Sequence, residues 1–316
     1  MSEKKNDLAF VFPGQGSQSI GMLSELAEVY PIVKETFEQA SEVLTFDLWK
    51  LVQQGAVEEL NQTYNTQPAM LAADVAMWRV WCEQVAIRPT WIAGHSLGEY
   101  SALVCSNAIG FDEGITLVAE RGRLMQAAVP AGVGAMAAII GLEDDLVIKA
   151  CAESAENEVV AAVNFNAPGQ VVIAGHDAAV ERAMNAAKEA GAKRALKLSV
   201  SVPSHCQLMA SAAEKLAEKL QQININIPNM ALVHNVDVAI HDSAEQIANA
   251  LKEQLFKPVR WVESIQYIHK QEVTNFVECG PGKVLMGLNK RIVKGANHMT
   301  MYNPITLDNV LEQLNG

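Results

Sequence analysis

Ser96 sits at the centre of Gly94-His95-Ser96-Leu97-Gly98, a G-x-S-x-G pattern entered by the apolar run Trp91-Ile92-Ala93 and left by a helix-forming stretch over residues 99–103. A serine on a sharp turn between strand and helix is a nucleophile elbow, which makes Ser96 the candidate nucleophile of an acyl-transfer reaction. Gly94 and Gly98 suit the turn because residues without a Cβ tolerate its backbone angles and let the helix approach the strand. The helix behind Ser96 aims free N–H groups and its positive dipole end at the place where an oxyanion would form, with Leu97 as the first donor. In serine acyl-transfer folds a second donor comes from a loop after a neighbouring strand. Pro13-Gly14-Gln15-Gly16-Ser17-Gln18, which ends the apolar run at residues 8–12, is such a loop and offers the Gln15 N–H. Its G-x-G lacks the further spaced glycine of a dinucleotide fingerprint, so dinucleotide binding is set aside.

The serine also needs a base. Seven histidines are available, and His205 in Val200-Ser201-Val202-Pro203-Ser204-His205-Cys206 is the best placed. A proline stiffens its approach, and it lies where the chain returns to its main body. Spacing alone leaves this assignment open. Cys206 is the runner-up nucleophile; without elbow context it reads as structural. Glu120-Arg121-Gly122-Arg123 places two arginines on a helix spanning residues 113–128, and the plain reading of both is a solvated face.

The elements that must carry these residues follow from periodicity and punctuation. Residues 8–12 read as a buried strand, and residues 19–80 as helices punctuated by Pro31 and Gly55, the last of them opening at Gln67-Pro68. After Pro130-Ala131-Gly132-Val133-Gly134 the texture changes. Strands are expected at 135–140, 159–164, 170–174 and 193–200, with helices at 143–154 and 177–190. That β-α-β-β-α-β order is the ferredoxin-like signature, at a length suited to an inserted subdomain. The main domain is then expected to resume near Ser201, leaving an active site in the cleft between the two parts. Further on, helices are expected at 211–221 and 244–255, a strand with Asn235 at 231–238, and a strand into a turn at Asn275-Phe276-Val277-Glu278-Cys279-Gly280-Pro281-Gly282.

Composition bounds the function. The chain has 316 residues, 50% hydrophobic and 19% charged, enough to bury a sizeable core. A net charge of −12 argues against a general nucleic-acid or anionic-membrane binder, so an anionic partner must meet a local basic patch. Lys283, Lys290, Arg291 and Lys294 form the densest such cluster in the C-terminal third. Five scattered cysteines without C-x-x-C spacing suggest neither a disulfide framework nor a zinc site and fit a reducing cytoplasm. The polar start, followed by an apolar run that breaks at Pro13, predicts no export signal, and no apolar run is long enough to span a membrane.

Along essentially its whole length the chain resembles the malonyl-CoA:acyl-carrier-protein transacylases of bacterial fatty-acid synthesis. The carriers are Val11-Phe12-Pro13-Gly14-Gln15-Gly16-Ser17-Gln18, Gly94-His95-Ser96-Leu97-Gly98-Glu99-Tyr100, Glu120-Arg121-Gly122-Arg123, Asn164-Phe165-Asn166-Ala167-Pro168-Gly169-Gln170, Val202-Pro203-Ser204-His205 and Gly280-Pro281-Gly282-Lys283-Val284-Leu285. The resemblance implies an α/β fold, with an α/β-hydrolase-like core over residues 1–128 and 200–316 and an inserted ferredoxin-like small subdomain over 129–199. It casts Ser96 as nucleophile and His205 as base, with the Gln15 and Leu97 N–H groups as the oxyanion hole. It selects Arg121 rather than Arg123 as partner of the substrate's free carboxylate, and Gln254 as the residue that holds the histidine through an oxygen in place of a carboxylate.

The reaction implied is ping-pong transfer of malonyl from malonyl-CoA to the phosphopantetheine thiol of acyl carrier protein, needing no metal or bound organic cofactor. The expected partners are malonyl-CoA and the carrier protein, and the expected form is a monomer. Three alternatives share parts of this site. A trans-acting acyltransferase of a polyketide synthase would have every motif. A serine thioesterase or hydrolase would have the elbow and base but let water attack, and Arg121 argues against it. A non-catalytic scaffold would have no use for Ser96, His205 and Arg121 together.

Overall fold

The computed structural model describes residues 3–130, 132–198, 200 and 202–315. Ala131, Ser199 and Ser201, which fall at the expected joints of the small subdomain, lie outside the described residues. The strands among the described residues are β1 Glu3–Phe12, β2 Ile87–Gly94, β3 Gly134–Ile140, β4 Val160–Ala167, β5 Gln170–His176, β6 Arg194–Lys197, β7 Ala231–Val233, β8 Asn275–Glu278 and β9 Asn297–Thr300. They form two sheets. One is parallel, in the order β7-β2-β1-β8-β9. The other is antiparallel, in the order β4-β5-β3-β6.

The parallel sheet is buried on both faces at its centre, where residues 8–12 of β1 form a continuous apolar run rather than an alternating one. Leu8, Phe10 and Phe12 of β1 face one core, in which Phe10 meets Trp78 and Trp81 edge-on at 5.6 and 5.2 Å. Ala9 and Val11 face the other, around Trp261 and Phe276. β1 is longer than the apolar run because Glu3–Lys5 also pair with Ile87–Pro89, across a register shift before Ala9. The β1 and β2 pairing ends at Phe12 opposite Gly94, which brings the glycine-rich loop and the elbow to the same edge of the sheet.

Residues 134–197 follow the expected β-α-β-β-α-β order, with helices Asp144–Ser154 and Asp177–Glu189. These helices bury small apolar residues, among them Ala150, Ala179, Ala183 and Ala187, against one face of the antiparallel sheet. Its other face carries Met136, Val163 and Val172, against which Cys206 packs. The antiparallel sheet is tied to the segment before helix Trp261–His269 where Val259 N–H donates to Val163 O at 2.8 Å and Phe165 N–H to Val259 O at 3.0 Å.

Three expectations need correction. The helix expected to open at Gln67-Pro68 starts at Thr63 and runs to Gln84 with Pro68 inside it. Proline there removes one early backbone bond, and burial of Thr66 through Met77 outweighs that loss. The strand expected at 231–238 stops at Val233, because His234 and Asn235 turn away to meet Glu99. The strand expected at 193–200 covers only Arg194–Lys197. β9 was unforeseen: Asn297–Thr300 is short and polar at its start, and only its pairing with β8 makes it a strand.

Candidate active site

Ser96 has φ 51° and ψ −105°, a conformation that costs a non-glycine residue ~1–3 kcal/mol and persists only where its surroundings over-determine it. They do so here. A Cβ on Gly94 would stand 1.9 Å from the carbonyl of Gly98, and one on Gly98 would stand 2.1 Å from Phe12 O, so both glycines are sterically required. Asn235 then ties the turn down: its Oδ1 accepts from Ser96 N–H at 2.8 Å, and its Nδ2 donates to Gly94 O at 2.7 Å.

His205, also left-handed at φ 64°, points Nε2 at Ser96 Oγ at 2.8 Å. Its Nδ1 lies 2.6 Å from the Gln254 backbone oxygen. A carbonyl can only accept, so the proton sits on Nδ1 and Nε2 is left with a lone pair for the serine hydroxyl. The oxygen that orients the histidine is therefore a main-chain one, at the end of helix Ala244–Gln254. Burial, with help from the Arg121 charge, pushes His205 down to about 3, which keeps the imidazole neutral.

The Gln254 side chain serves Arg121 instead. Its Oε1 accepts from Arg121 Nη2 at 2.9 Å, and its Nε2 donates to Ser96 O at 3.0 Å and Glu99 Oε2 at 2.9 Å. Arg121 also donates to Gln67 Oε1 at 2.8 Å and to Ser96 Oγ at 3.3 Å, and lies 5.1 Å above the Tyr100 ring. It is only 2% exposed, its Nε has no hydrogen-bond partner, and no carboxylate among the described residues lies within ion-pair distance. The plain reading of a solvated helix face thus fails for Arg121. It holds for Arg123, which is exposed and forms a two-pronged pair with Glu120. Two residues along a helix turn the side chain by about 200°, which separates the two roles.

A cleft of about 190 Å³ lies over Ser96, lined from the parallel-sheet side by Gln15, Leu97 and Arg121 and from the antiparallel sheet by Met136, Asn164 and Val172. The Gln15 and Leu97 N–H groups donate to no described residue, whereas Ser96 N–H is engaged by Asn235. The Gln15 side chain reaches Thr63 Oγ1 at 3.4 Å. Helix Val284–Ile292 closes another side with Val284, Leu285 and Leu288. Glu278 anchors it by accepting from Leu285 and Met286 N–H, and burial pushes that carboxyl up to about 7. Cys206 is buried, its Sγ donates to Pro203 O at 3.2 Å, and burial pushes its thiol up to about 11, away from the thiolate that a nucleophile needs.

Residues 9–306 of this chain match the acyl transferase domain family. The malonyl CoA-acyl carrier protein transacylase of Salmonella typhimurium is 57% identical over 305 residues, covering 96% of this chain and 99% of that protein. The chain belongs to the malonyl CoA-acyl carrier protein transacylase family. Solved structures agree with it. An acyl carrier protein S-malonyltransferase from Vibrio cholerae, 57% identical, superposes with a TM-score of 0.94 over 96% of this chain and 99% of that one. A malonyl-transacylase in complex with a holo type II PKS acyl-carrier protein, 55% identical, superposes with a TM-score of 0.96 over 97% and 99%.

Sequence reasoning missed part of what this transacylase gathers at Ser96. Glu99, fully buried, accepts from His234 Nδ1 at 2.8 Å and Asn235 N–H at 3.0 Å as well as from Gln254. Asn235 and Gln67 were read as elements of a strand and a helix, not as parts of a site. A signal existed for Glu99: it is the one charged residue in the largely apolar helix Leu97–Cys105. His95 faces the antiparallel sheet, with Nε2 2.7 Å from Asn166 Oδ1. In the basic cluster Arg291 is already engaged by Pro168 O and Gln170 at the β4–β5 turn, whereas Lys283, Lys290 and Lys294 stay exposed.

Proposed function

We propose that Ser96 carries the malonyl group between malonyl-CoA and the phosphopantetheine thiol of acyl carrier protein. The observation that carries this reading is the pairing of a based serine with a buried, carboxylate-free guanidinium 3.3 Å away. His205 Nε2 takes the hydroxyl proton as Oγ attacks the thioester carbonyl. The Gln15 and Leu97 N–H groups receive the oxyanion, and the leaving CoA sulfur takes the proton from His205. The carrier thiol then repeats the steps in reverse, giving its proton to His205 and receiving the acyl group as Ser96 is restored. Arg121 holds the malonyl carboxylate through parallel N–H bonds, which an acetyl group cannot use. A backbone carbonyl behind the histidine suffices, because thioester and serine ester are close in energy.

The same reading takes the parallel sheet with its elbow as an α/β-hydrolase-like core over residues 1–128 and 200–316. The antiparallel sheet over 129–199, in its β-α-β-β-α-β order, is then the ferredoxin-like subdomain that closes the cleft. The fatty-acid carrier is the first expectation for a partner. The relative solved with a type II polyketide carrier protein supports a second, in which the same site serves that pathway, and carrier preference separates the two. The test of the reaction is CoA release. Malonyl-CoA alone should give a burst stoichiometric with enzyme, continuing only when holo carrier protein is added. Steady release without carrier would make water the acceptor and the chain a thioesterase.

A further inference from the structure

Glu99 is 0% exposed, and three donors converge on it: His234 Nδ1 on Oε1, and Asn235 N–H with Gln254 Nε2 on Oε2. An oxygen that accepts obliges each neighbour to turn a donor toward it. For Gln254 this has a consequence at a distance, since its amide has one oxygen and one nitrogen. With Nε2 committed to Glu99 and to Ser96 O, Oε1 must face Arg121 Nη2. The reverse orientation would set an amide N–H₂ against the guanidinium and an oxygen against both the carboxylate and the Ser96 carbonyl, leaving buried groups unpaired.

We propose that Glu99 is a positioning residue for acyl-group choice: by receiving the Gln254 amide it fixes the orientation in which Oε1 holds Arg121 beside the nucleophile. The inference rests on the reading of Arg121 as the carboxylate partner. Glu99 does not line the cleft; the Gln254 amide links it to Arg121, whose cation its charge also favours. The His205 support is separate, because the Gln254 oxygen behind the histidine belongs to the backbone.

A purely structural role would scale activity toward every acyl group alike, so the discriminating readout is the malonyl-to-acetyl ratio of kcat/KM. Glu99→Ala should lower that ratio by about tenfold to a hundredfold, the range for losing a hydrogen bond to a charged group. In an Arg121→Ala background the same change should leave the ratio where Arg121→Ala put it. Glu99→Gln should retain most of the parent ratio. Its side-chain oxygen can still accept from Gln254 while its N–H₂ donates to His234, whose buried Nε2 is unpartnered and able to take the proton. Should Glu99→Ala fail to fold, Gln254→Leu breaks the same link, keeps the backbone carbonyl, and should lower the ratio likewise. The proposal is overturned by an unchanged ratio in Glu99→Ala or Gln254→Leu, by an equal fall in the Arg121→Ala background, or by a glutamine variant as impaired as alanine. If Arg121→Ala alone leaves the ratio unchanged, the underlying reading of Arg121 fails instead.

Discussion

Removing the Arg121 guanidinium should change which acyl group the enzyme prefers, and the size of the change follows from its surroundings. Arg121 is buried and hydrogen-bonded to Gln67, Gln254 and Ser96, all neutral; the buried Glu99 favours its charged form from beyond ion-pair distance and leaves it without a directly paired balance. A bound malonyl carboxylate would supply that balance and would itself be desolvated in a cleft of about 190 Å³. Truncating one member of a buried charged pair costs ~2–5 kcal/mol, mostly from stranding the other, or a factor of about 30 to several thousand. Arg121→Ala should lower kcat/KM for malonyl-CoA by that factor. Acetyl-CoA brings no carboxylate, so its transfer should stay level or improve as the desolvated cation disappears. Arg123→Ala is the internal control, since that side chain is exposed and paired with Glu120, and it should leave the ratio near the parent value. The assay is steady-state transfer from each CoA ester to holo carrier protein for the three proteins. A parallel fall for both acyl groups in Arg121→Ala would refute the argument and assign the carboxylate to another residue.

His205 sets the pH dependence. Because burial lowers its pKa, the neutral base form persists as pH falls, so kcat/KM for malonyl-CoA should stay flat from about pH 8 to about pH 5. An acid limb centred near 6.5 would show an ordinary, solvated imidazole. His205→Ala should slow acylation ~100- to 10,000-fold, the usual contribution of a positioned base, and an unchanged acylation rate in a rapid-quench assay would remove it from the reaction. Charge reversal at Lys283, Lys290 and Lys294 should raise the KM for carrier protein and spare that for malonyl-CoA. Equal effects on both substrates, or none, would move the docking patch toward Lys193, Arg194 and Lys197 at the β6 edge of the antiparallel sheet.

What the sequence revealed and what it hid divide along a physical line. The elbow was legible because steric need writes it locally: Gly94, Ser96 and Gly98 must be spaced as they are for the turn to close. The β-α-β-β-α-β run was legible because residues 134–197 alternate strand and helix periods between clear turns. The polar hub behind Ser96 was not. Glu99 is separated from Asn235 and from Gln254 by well over a hundred positions and meets them only because β7 and helix Ala244–Gln254 end at the same place. The histidine's partner was anticipated as an oxygen of Gln254, but residue type cannot tell a side-chain amide from a main-chain carbonyl, and the structure uses the carbonyl for His205 and the amide for Arg121. Arginine at 121 looked solvated for a related reason. Charge says outside, but the helix packs inward over Ile115, Val118 and Met125, and Gly122 lets the backbone of Thr63 and Tyr64 come close beside Arg121.

The central claim is that a malonyl group rests on Ser96 between the two half-reactions. Intact-mass measurement after brief mixing with malonyl-CoA, followed by peptide mapping, tests it most directly. The expected result is a single malonyl adduct on the peptide containing Ser96, removed by holo carrier protein and absent from Ser96→Ala. An adduct that survives the alanine change, or that maps to Cys206, would contradict the account.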